Sequence, residues 1–215
     1  MLKLFIEHLI TIPLAHSLFK MASENSDYFL IVGLGNPGQK YLKNRHNIGW
    51  QVFDAIREVN EDKWIEKFKG AYTKMRYQSQ TYFFLKPLTY MNDSGKSVRA
   101  ITDFFKIPVE NILVIYDELD VDYGTLMFKR GGGTAGHNGL KSIVNHMGSK
   151  DFMRIRMGIS RPGDGNVSRW VLSDFSKKEE TYLDDFLNLG ADALADFIKR
   201  GFEKSSNQFS KKTVV

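Results

Sequence analysis

Residues 28–33, YFLIVG, form an apolar run that ends at a glycine, and residues 112–116, ILVIY, form a second run of the same kind. Runs without an alternating polar face are typical of strands that are covered on both sides of a sheet. Apolar residues at helical spacing follow the first run in residues 47–60, with Asn47 as the expected cap, and precede the second in residues 94–105. This alternation predicts an α/β fold: a single three-layer domain with a mixed, mostly parallel sheet flanked by helices.

The remaining elements and the domain limits follow from the same patterns. Further strands are predicted at residues 71–78, 82–85, 125–129, 154–159 and 167–172, and further helices at residues 137–147 and 178–200. Residues 201–215 are polar and basic, and we expect the end of this segment to be loose. We expect an N-terminal extension over residues 1–26, one domain over residues 27–205 and a basic tail over residues 206–215. Met21 begins a stretch typical of a protein start, so the extension is interpreted as lying upstream of the true start or as an accessory helix.

Composition excludes several classes of chemistry. The chain has 215 residues and no cysteine, which rules out disulfides, thiolate metal sites and a cysteine nucleophile. Its net charge is +5, and seven basic residues against one acid lie between residues 126 and 161. A basic segment of this kind suits a phosphate-bearing partner, although most charge runs are solvated faces.

Residues 33–38, GLGNPG, match the G-x-G-x-x-G pattern of dinucleotide-binding proteins. That pattern requires a helix to begin at once, with its N-terminus against the pyrophosphate. Here Pro37 and the polar residues 39–45 continue as a loop, and the nearest acid, Asp54, lies within a predicted helix. A nucleotide-dependent oxidoreductase is therefore a disfavoured alternative.

Two residues at strand ends suggest acid–base chemistry. His46 follows the first apolar strand, and Asp117 directly ends the second. If these strands are parallel neighbours, both residues lie at one sheet edge, where a carboxylate can orient an imidazole that acts as a base. The alternatives without a catalytic role are that His46 is a structural histidine and that Asp117 is a turn-forming acid. None of the five histidines has zinc-site spacing, so no metal is expected, and water is the nucleophile that remains.

Residues 131–139, GGGTAGHNG, precede a predicted helix, and Lys129, Arg130, Arg154 and Arg156 flank them along the chain. Glycines allow a ligand to approach the backbone, and a helix N-terminus offers N–H groups to an anion. A flexible loop before a capped helix explains the pattern equally well. Asn92, within residues 87–95 (PLTYMNDSG), is by itself best read as a helix cap.

Taken together, the motifs resemble those of bacterial-type peptidyl-tRNA hydrolases over residues 28–205. They are GLGNPG (33–38), RHN (45–47), KPLTYMNDSG (86–95), VIYDELD (114–120), FKRGGG (128–133), GHNGLKS (136–142) and RIRMGISRPG (154–163). The resemblance implies a monomeric enzyme without cofactor or metal. A cytoplasmic protein is expected because no stretch of the sequence resembles a membrane segment. It would hydrolyse the ester that joins a peptide to the 3′ ribose of tRNA, and so recycle tRNA from stalled translation. A non-catalytic RNA-binding relative of the same fold is the alternative.

The resemblance also implies roles for individual residues. His46 would be the general base and Asp117 its orienting carboxylate. The residues implied for substrate binding are Asn36, Asn92 and Asn138 as cleft amides, Tyr41 and Met91 as cleft walls, and Lys129 and Arg156 as the clamp on the tRNA 5′-phosphate. Thr134-Ala135 departs from the family, in which many relatives have His-Gly, and we expect a modest effect on binding.

Overall fold

The computed structural model describes residues 27–56, 59, 63–163 and 165–215, so the expected N-terminal extension lies outside the described residues. Its strands are β1 (Tyr28–Gly33), β2 (Ile65–Lys67), β3 (Gly70–Tyr77), β4 (Gln80–Pro87), β5 (Ile112–Glu118), β6 (Thr125–Arg130), β7 (Met153–Gly158) and β8 (Lys212–Thr213). Its helices are α1 (Ile48–Asp54), α2 (Ser94–Phe105), α3 (Asn138–Met147), α4 (Val167–Val171), α5 (Lys177–Arg200) and α6 (Phe202–Phe209). Short 3₁₀ turns lie at Gln39–Tyr41, Arg45–Asn47, Met91–Asp93 and Val109–Asn111.

The strands form one mixed sheet in the order β2-β3-β4-β1-β5-β7-β6-β8. The four central strands, β4, β1, β5 and β7, run parallel, and the pairings at both flanks are antiparallel. Strands β1 and β5 are direct neighbours, with Gly33 in register with Ile115. Their carboxyl ends therefore lie at the same sheet edge, and the predicted α/β fold is confirmed.

A hydrophobic layer covers each face of the sheet. Ile31 of β1 belongs to the cluster shared with α1 and α5, whereas Leu30 and Val32 belong to the cluster shared with α2 and α3. Successive strand residues point to opposite faces, so one strand contributes to both layers. All three side chains are fully buried, and burial of a side chain of this size stabilises a fold by roughly 1.5–3 kcal/mol.

The glycines of the GLGNPG segment allow α1 to pack closely on β1. A β-carbon on Gly33 would lie 2.5 Å from the Gly49 carbonyl oxygen, and one on Gly35 would lie 2.8 Å from the Trp50 ring. A β-carbon on Gly49 would collide with the carbonyl oxygen of Ile115. The segment leads into a 3₁₀ turn, not into the helix that a dinucleotide site requires. These glycines instead bring the residues before α1 onto the ends of β1 and β5.

Two predicted segments differ from the structure. Residues 167–172, expected as a strand, form helix α4, because Asn166 caps the segment by accepting the Arg169 N–H at 3.1 Å. Residues 201–215, of which the end was expected to be loose, form α6 and, at that end, β8. The Phe202 and Phe209 side chains of α6 pack on the core, and β8 pairs with β6 as the edge strand of the sheet.

Helix α1 is shorter than the predicted 47–60 segment, part of which lies outside the described residues. Strand β2 had no sequence signal, since all three of its residues are exposed. Among the described residues, no helix combines the length and apolar character needed to cross a bilayer.

Candidate active site

His46 and Asp117 meet at the carboxyl edge of the sheet. His46 lies in the 3₁₀ turn that precedes α1, and Asp117 is the penultimate residue of β5. The Nδ1 atom of His46 is 2.9 Å from each carboxylate oxygen of Asp117. Asp117 is 2% exposed and His46 is 8% exposed. The two side chains that strand order was expected to bring together are therefore in direct contact, largely shielded from water.

A second imidazole, which was not expected in the site, contacts the same carboxylate. The Nε2 atom of His137 is 3.0 Å from Oδ1 of Asp117, and the His46 and His137 ring centroids are 5.0 Å apart. His137 caps α3, where its Nδ1 accepts the Leu140 N–H at 3.3 Å. Because Nδ1 is an acceptor, the proton of the neutral ring lies on Nε2 and is donated to Asp117.

Asp117 is an ionised carboxylate between these two rings. Burial alone would raise the pKa of Asp117, because a buried carboxylate loses its hydration. The electrostatic attraction of the His46 and His137 N–H groups, and the hydrogen bonds from both, together outweigh burial and hold the pKa of Asp117 well below its ordinary value of 3.8. The carboxylate is therefore ionised at neutral pH and can orient both rings.

Two buried asparagines fix the loop after β1. The backbone N–H of Asn36 donates to Oδ1 of Asn47, and the Asn36 carbonyl oxygen accepts from Nδ2 of Asn47, both at 2.9 Å. Asn47 therefore makes no capping hydrogen bond to α1, contrary to the prediction, because its amide is committed to Asn36. Oδ1 of Asn36 accepts the Met91 N–H at 2.8 Å. This bond leaves the side-chain nitrogen of Asn36 as its polar group toward the cleft.

A cleft of about 680 Å³ opens over these groups. Its lining includes Asn36, Tyr41, His46, Met91, Asn92, Asp117 and Asn138. Asn138 begins α3 beside His137. Asn92 lies in the 3₁₀ turn before α2, and Asp93, not Asn92, occupies the cap position of that helix. Val167, Val171 and Leu172 supply an apolar part of the wall. The fold thus gathers the residues that the resemblance implied for catalysis and substrate binding around one cleft, apart from the phosphate clamp.

Arg45, the neighbour of His46 in sequence, ties the turn that carries His46 to α4 and α5. Its guanidinium carbon lies 3.7 Å from the Trp170 ring centroid, and its Nη2 atom lies 2.6 Å from the Glu179 carboxylate. Arg45 also donates to the carbonyl and hydroxyl oxygens of Ser173, and it is 2% exposed. The apolar cleft wall is thereby held relative to His46. Sequence patterns could not indicate this role, because the partners lie more than 120 residues away along the chain.

Lys129 and Arg156 lie outside the lining of the cleft. The Nε atom of Arg156 donates to Glu118 at 2.9 Å, and Glu118 also accepts from the Tyr116 hydroxyl at 3.0 Å. Burial and the nearby Glu118 raise the pKa of Tyr116, which keeps this hydroxyl protonated as a donor. Lys129 is exposed and lies in register with Arg154 on β7. Its ammonium group forms no ion pair within the part of the chain that the structure describes.

His46, Asp117 and His137 are also residue types that can bind zinc. Their ligating atoms lie within 4.8 Å of one another. The two imidazole–carboxylate hydrogen bonds already satisfy these atoms, so a cation would have to replace the ring protons that bridge them. The expectation that the reaction needs no metal stays a prediction.

Comparisons with known proteins match most of the chain to one family. The family model described as peptidyl-tRNA hydrolase matches residues 30–215. The peptidyl-tRNA hydrolase of Sorangium cellulosum is 43% identical over 182 residues, which is 83% of this chain and 82% of that protein. That of Clostridium novyi is 41% identical over 183 residues, covering 85% and 97% of the two chains. The crystal structure of peptidyl-tRNA hydrolase from Acinetobacter baumannii superposes with a TM-score of 0.81 at 34% identity, covering 89% of this chain and 98% of that one.

Proposed function

The chain belongs to the peptidyl-tRNA hydrolase family, and from that premise we propose how it acts. It hydrolyses the ester between a peptide, or an N-blocked amino acid, and the 3′ ribose of tRNA, and so releases tRNA from stalled or aborted translation. The observation that supports this site is the 2.9 Å contact between His46 and Asp117, in a cleft lined by asparagine amides.

His46 acts as the general base. Asp117 accepts a hydrogen bond from the Nδ1–H group of His46, which leaves the lone pair on Nε2 free to take a proton from water. The water oxygen attacks the ester carbonyl carbon while its proton moves to Nε2. When the tetrahedral intermediate collapses, the bond to the 3′ oxygen breaks, and that oxygen takes the proton from the imidazolium. The products are a peptide with a free carboxyl group and a tRNA with a free 3′ hydroxyl.

Asparagine amides position the ester and stabilise the charge that develops on its carbonyl oxygen. Asn92 and Asn138 hold the water or the ester, and the side-chain nitrogen of Asn36 donates into the same cleft. Preorganised donors of this kind are effective because they need not reorient as charge develops. Tyr41 and Met91 form walls near the 3′ end of the tRNA.

Lys129 and Arg156 bind the 5′-phosphate of the tRNA. Lys129 carries an exposed ammonium group without a carboxylate partner among the described residues. Arg156 is held by Glu118 through Nε, which leaves its two terminal nitrogens as donors. A clamp of this kind favours elongator tRNAs with a 5′-monophosphate over the formylated initiator.

The remaining parts of the proposal concern the state of the protein. Every group named above comes from one chain, which favours a monomer. Side chains supply all the acid–base and hydrogen-bonding groups, so we expect no cofactor and no metal. The substrate arises during translation, which favours the cytoplasm.

The test is release of free tRNA from N-acetyl-aminoacyl-tRNA, with EDTA present, by wild type and by His46→Ala. Loss of a general base lowers turnover by about 10²- to 10⁴-fold, and we expect a loss in this range. His46→Ala should fold, because Asp117 keeps its bond to His137. The matched control is His146→Ala, since His146 contacts the Ser142 carbonyl outside the cleft.

Two results would contradict the proposal. Near wild-type turnover by His46→Ala would remove His46 from the mechanism. Binding of tRNA without cleavage by the wild type would favour the RNA-binding alternative. The first outcome would leave the proposed activity standing and require a different general base. The second would replace the proposed hydrolase activity with RNA binding.

A further inference from the structure

Arg154 is a buried arginine that holds the glycine loop, residues 131–136. It is 0% exposed. Its Nη1 donates to the Gly133 carbonyl oxygen at 2.7 Å, and its Nη2 donates to the Gly132 carbonyl oxygen at 3.0 Å. It forms no ion pair with a carboxylate among the described residues, and its Nε has no hydrogen-bond partner. The loop is therefore bound to a positive charge that has no ion-pair partner among the described residues. The nearest acid at the loop is Asp151, whose carboxylate lies 3.2 Å from the position of a β-carbon on Gly131.

These two bonds determine where the next two amide groups point. In a trans peptide the N–H lies opposite the carbonyl of the preceding residue, and no described peptide bond is cis. Because the Gly132 and Gly133 carbonyls point toward Arg154, the N–H groups of Gly133 and Thr134 point away from it. Neither N–H donates to an acceptor within the described ranges. The loop therefore presents two free donors on its outer side.

The outer side of the loop is open and positively charged. Gly133 is exposed, and a β-carbon built on it meets nothing within 4 Å. The Lys129 ammonium lies 3.0 Å from the position of a β-carbon on Gly132, so it adjoins the residue that precedes these amides. Gly131 and Gly132 have φ values of 62° and 89°, and glycine adopts this left-handed region without the strain that other residues incur. Consecutive N–H groups in such loops form concavities that bind anions.

We propose that the N–H groups of Gly133 and Thr134, together with the Lys129 ammonium, bind a phosphate group of the tRNA, and that Arg154 is the positioning residue that turns these amides outward. The inference rests on the proposed function, which supplies tRNA as the ligand, and it adds a backbone contact to the Lys129–Arg156 clamp. Arg154 itself does not touch the phosphate.

The test uses a substitution that removes one amide donor without changing charge. The substrates are acceptor-stem minihelices that carry an N-acetyl-aminoacyl group, with either a 5′-phosphate or a 5′-hydroxyl. Thr134→Pro removes the N–H, and Thr134→Ala is the matched control that keeps it. A hydrogen bond to a charged group contributes about 1.5–3 kcal/mol, so we expect KM to rise about tenfold or more for Thr134→Pro, with kcat little changed.

Arg154→Lys tests the positioning role. It keeps the charge, but one ammonium cannot match the paired donors that hold both carbonyls. We expect a rise in KM on the same substrates without an equal fall in kcat. If this variant does not fold, the comparison of Thr134→Pro with Thr134→Ala still decides the proposal.

Comparison of the 5′-phosphate and 5′-hydroxyl substrates identifies which phosphate is bound. A rise in KM confined to the 5′-phosphate substrate supports binding of the terminal phosphate, and an equal rise on both substrates supports a backbone phosphate. Equal KM for Thr134→Pro and Thr134→Ala would overturn the proposal, as would a fall in kcat with unchanged KM. Failure of the wild type to cleave either substrate would instead count against the proposed function. Measurable KM values for wild type and Thr134→Ala would show that the proposed function holds, so that a failure of the phosphate proposal can be recognised separately.

Discussion

Asp117 is the residue on which the site depends, because it accepts hydrogen bonds from two imidazoles at once. The lowered pKa of Asp117 measures how strongly those rings stabilise its charge. The hydrogen bond from His137 fixes the Asp117 carboxylate in place, and the carboxylate in turn holds His46 in one orientation. If one of the two hydrogen bonds is lost, the other still holds the Asp117 carboxylate in place.

This arrangement predicts a dependence of stability on pH. A carboxyl whose pKa is lower in the folded than in the unfolded state stabilises the fold above its unfolded pKa, and this contribution is lost as the pH falls through the folded pKa. We therefore expect Asp117→Asn to be less stable than wild type at pH 6, by roughly 1–3 kcal/mol. The difference should shrink as the pH falls below about 4. Urea unfolding of both proteins between pH 6 and pH 2 measures it.

The matched control for this experiment is Glu110→Gln, which removes an exposed acid that contacts neither histidine. Its difference from wild type should stay constant over the same pH range. A constant difference for Asp117→Asn as well would show that the two imidazoles do not stabilise the Asp117 charge.

Sequence reasoning located His46 and Asp117 because local patterns revealed both apolar strands, and the assumption that these strands are parallel neighbours is confirmed by the structure. Each residue follows an apolar strand, and parallel neighbours bring such ends together. His137 and Arg45 were not found, for different reasons. His137 stands at a helix start, where a polar residue indicates a cap, and the partners of Arg45 come from a distant part of the chain.

At the scale of elements, α4 connects the cleft to the rest of the fold. Val167 and Val171 line the cleft, while Trp170 of the same helix stacks on Arg45 and donates from its indole nitrogen to the Ser160 carbonyl oxygen at 2.9 Å. A helix of five residues has little stability of its own. Its position therefore depends on these anchors.

Removal of the Arg45 anchor should affect both stability and substrate binding. Breaking a buried ion pair by removing one partner costs about 3–5 kcal/mol, so we expect Arg45→Met to lower the free energy of unfolding by about 3 kcal/mol. The cleft wall should also loosen, which would raise KM several-fold more than it lowers kcat. Denaturant unfolding and steady-state hydrolysis of N-acetyl-aminoacyl-tRNA measure the two effects.

The control is Arg99→Met, which removes an exposed arginine from an ion pair with Asp103 within α2. Exposed pairs of this spacing contribute about 0.3–0.5 kcal/mol. Arg99→Met should therefore lower the free energy of unfolding only slightly. It should leave KM unchanged, because Arg99 lies outside the lining of the cleft. Equal effects of the two substitutions would show that Arg45 does not anchor α4.

The two elements that were predicted wrongly share a physical cause. The VSRWVL segment has apolar residues that fit a short strand as well as one helical turn, and the Asn166 cap with tertiary packing decides for the helix. The C-terminal segment is polar in composition, but Phe202 and Phe209 lie seven residues apart and reach the core from one side of α6. Short elements are determined by their neighbours more than by their own pattern.

At the scale of the whole molecule, the fold places Lys129 away from the catalytic edge of the sheet. Arg156, by contrast, bonds to Glu118 next to Asp117, and Arg161 lines the cleft. Strand β6 runs antiparallel to β7, so Lys129 lies toward the end of the sheet opposite Asp117, and the glycine loop leads back to His137 at the cleft. One loop therefore connects the proposed phosphate contacts to the catalytic group. This path follows from the register of β6 and β7, which composition could not reveal.

The proposed phosphate contacts predict how KM depends on salt concentration. Binding to phosphates releases counterions, and each contact contributes about 0.9 to the slope of log affinity against log salt for a duplex. We expect KM to rise steeply with salt in wild type, and Lys129→Met to reduce the slope by about 0.9. Lys74→Met is the matched control, because Lys74 is exposed on β3 near the other flank of the sheet.

Thr134→Pro should behave differently in the same salt series, because an amide donor carries no counterion to be exchanged. Its KM should be raised at every salt concentration, with the slope of wild type. A parallel line for Thr134→Pro and a shallower line for Lys129→Met would separate the backbone contact from the ionic contact within one phosphate site. If Lys129→Met also gave a parallel line, the ammonium group would make no ionic contact with the tRNA, and the basic segment would be a solvated face.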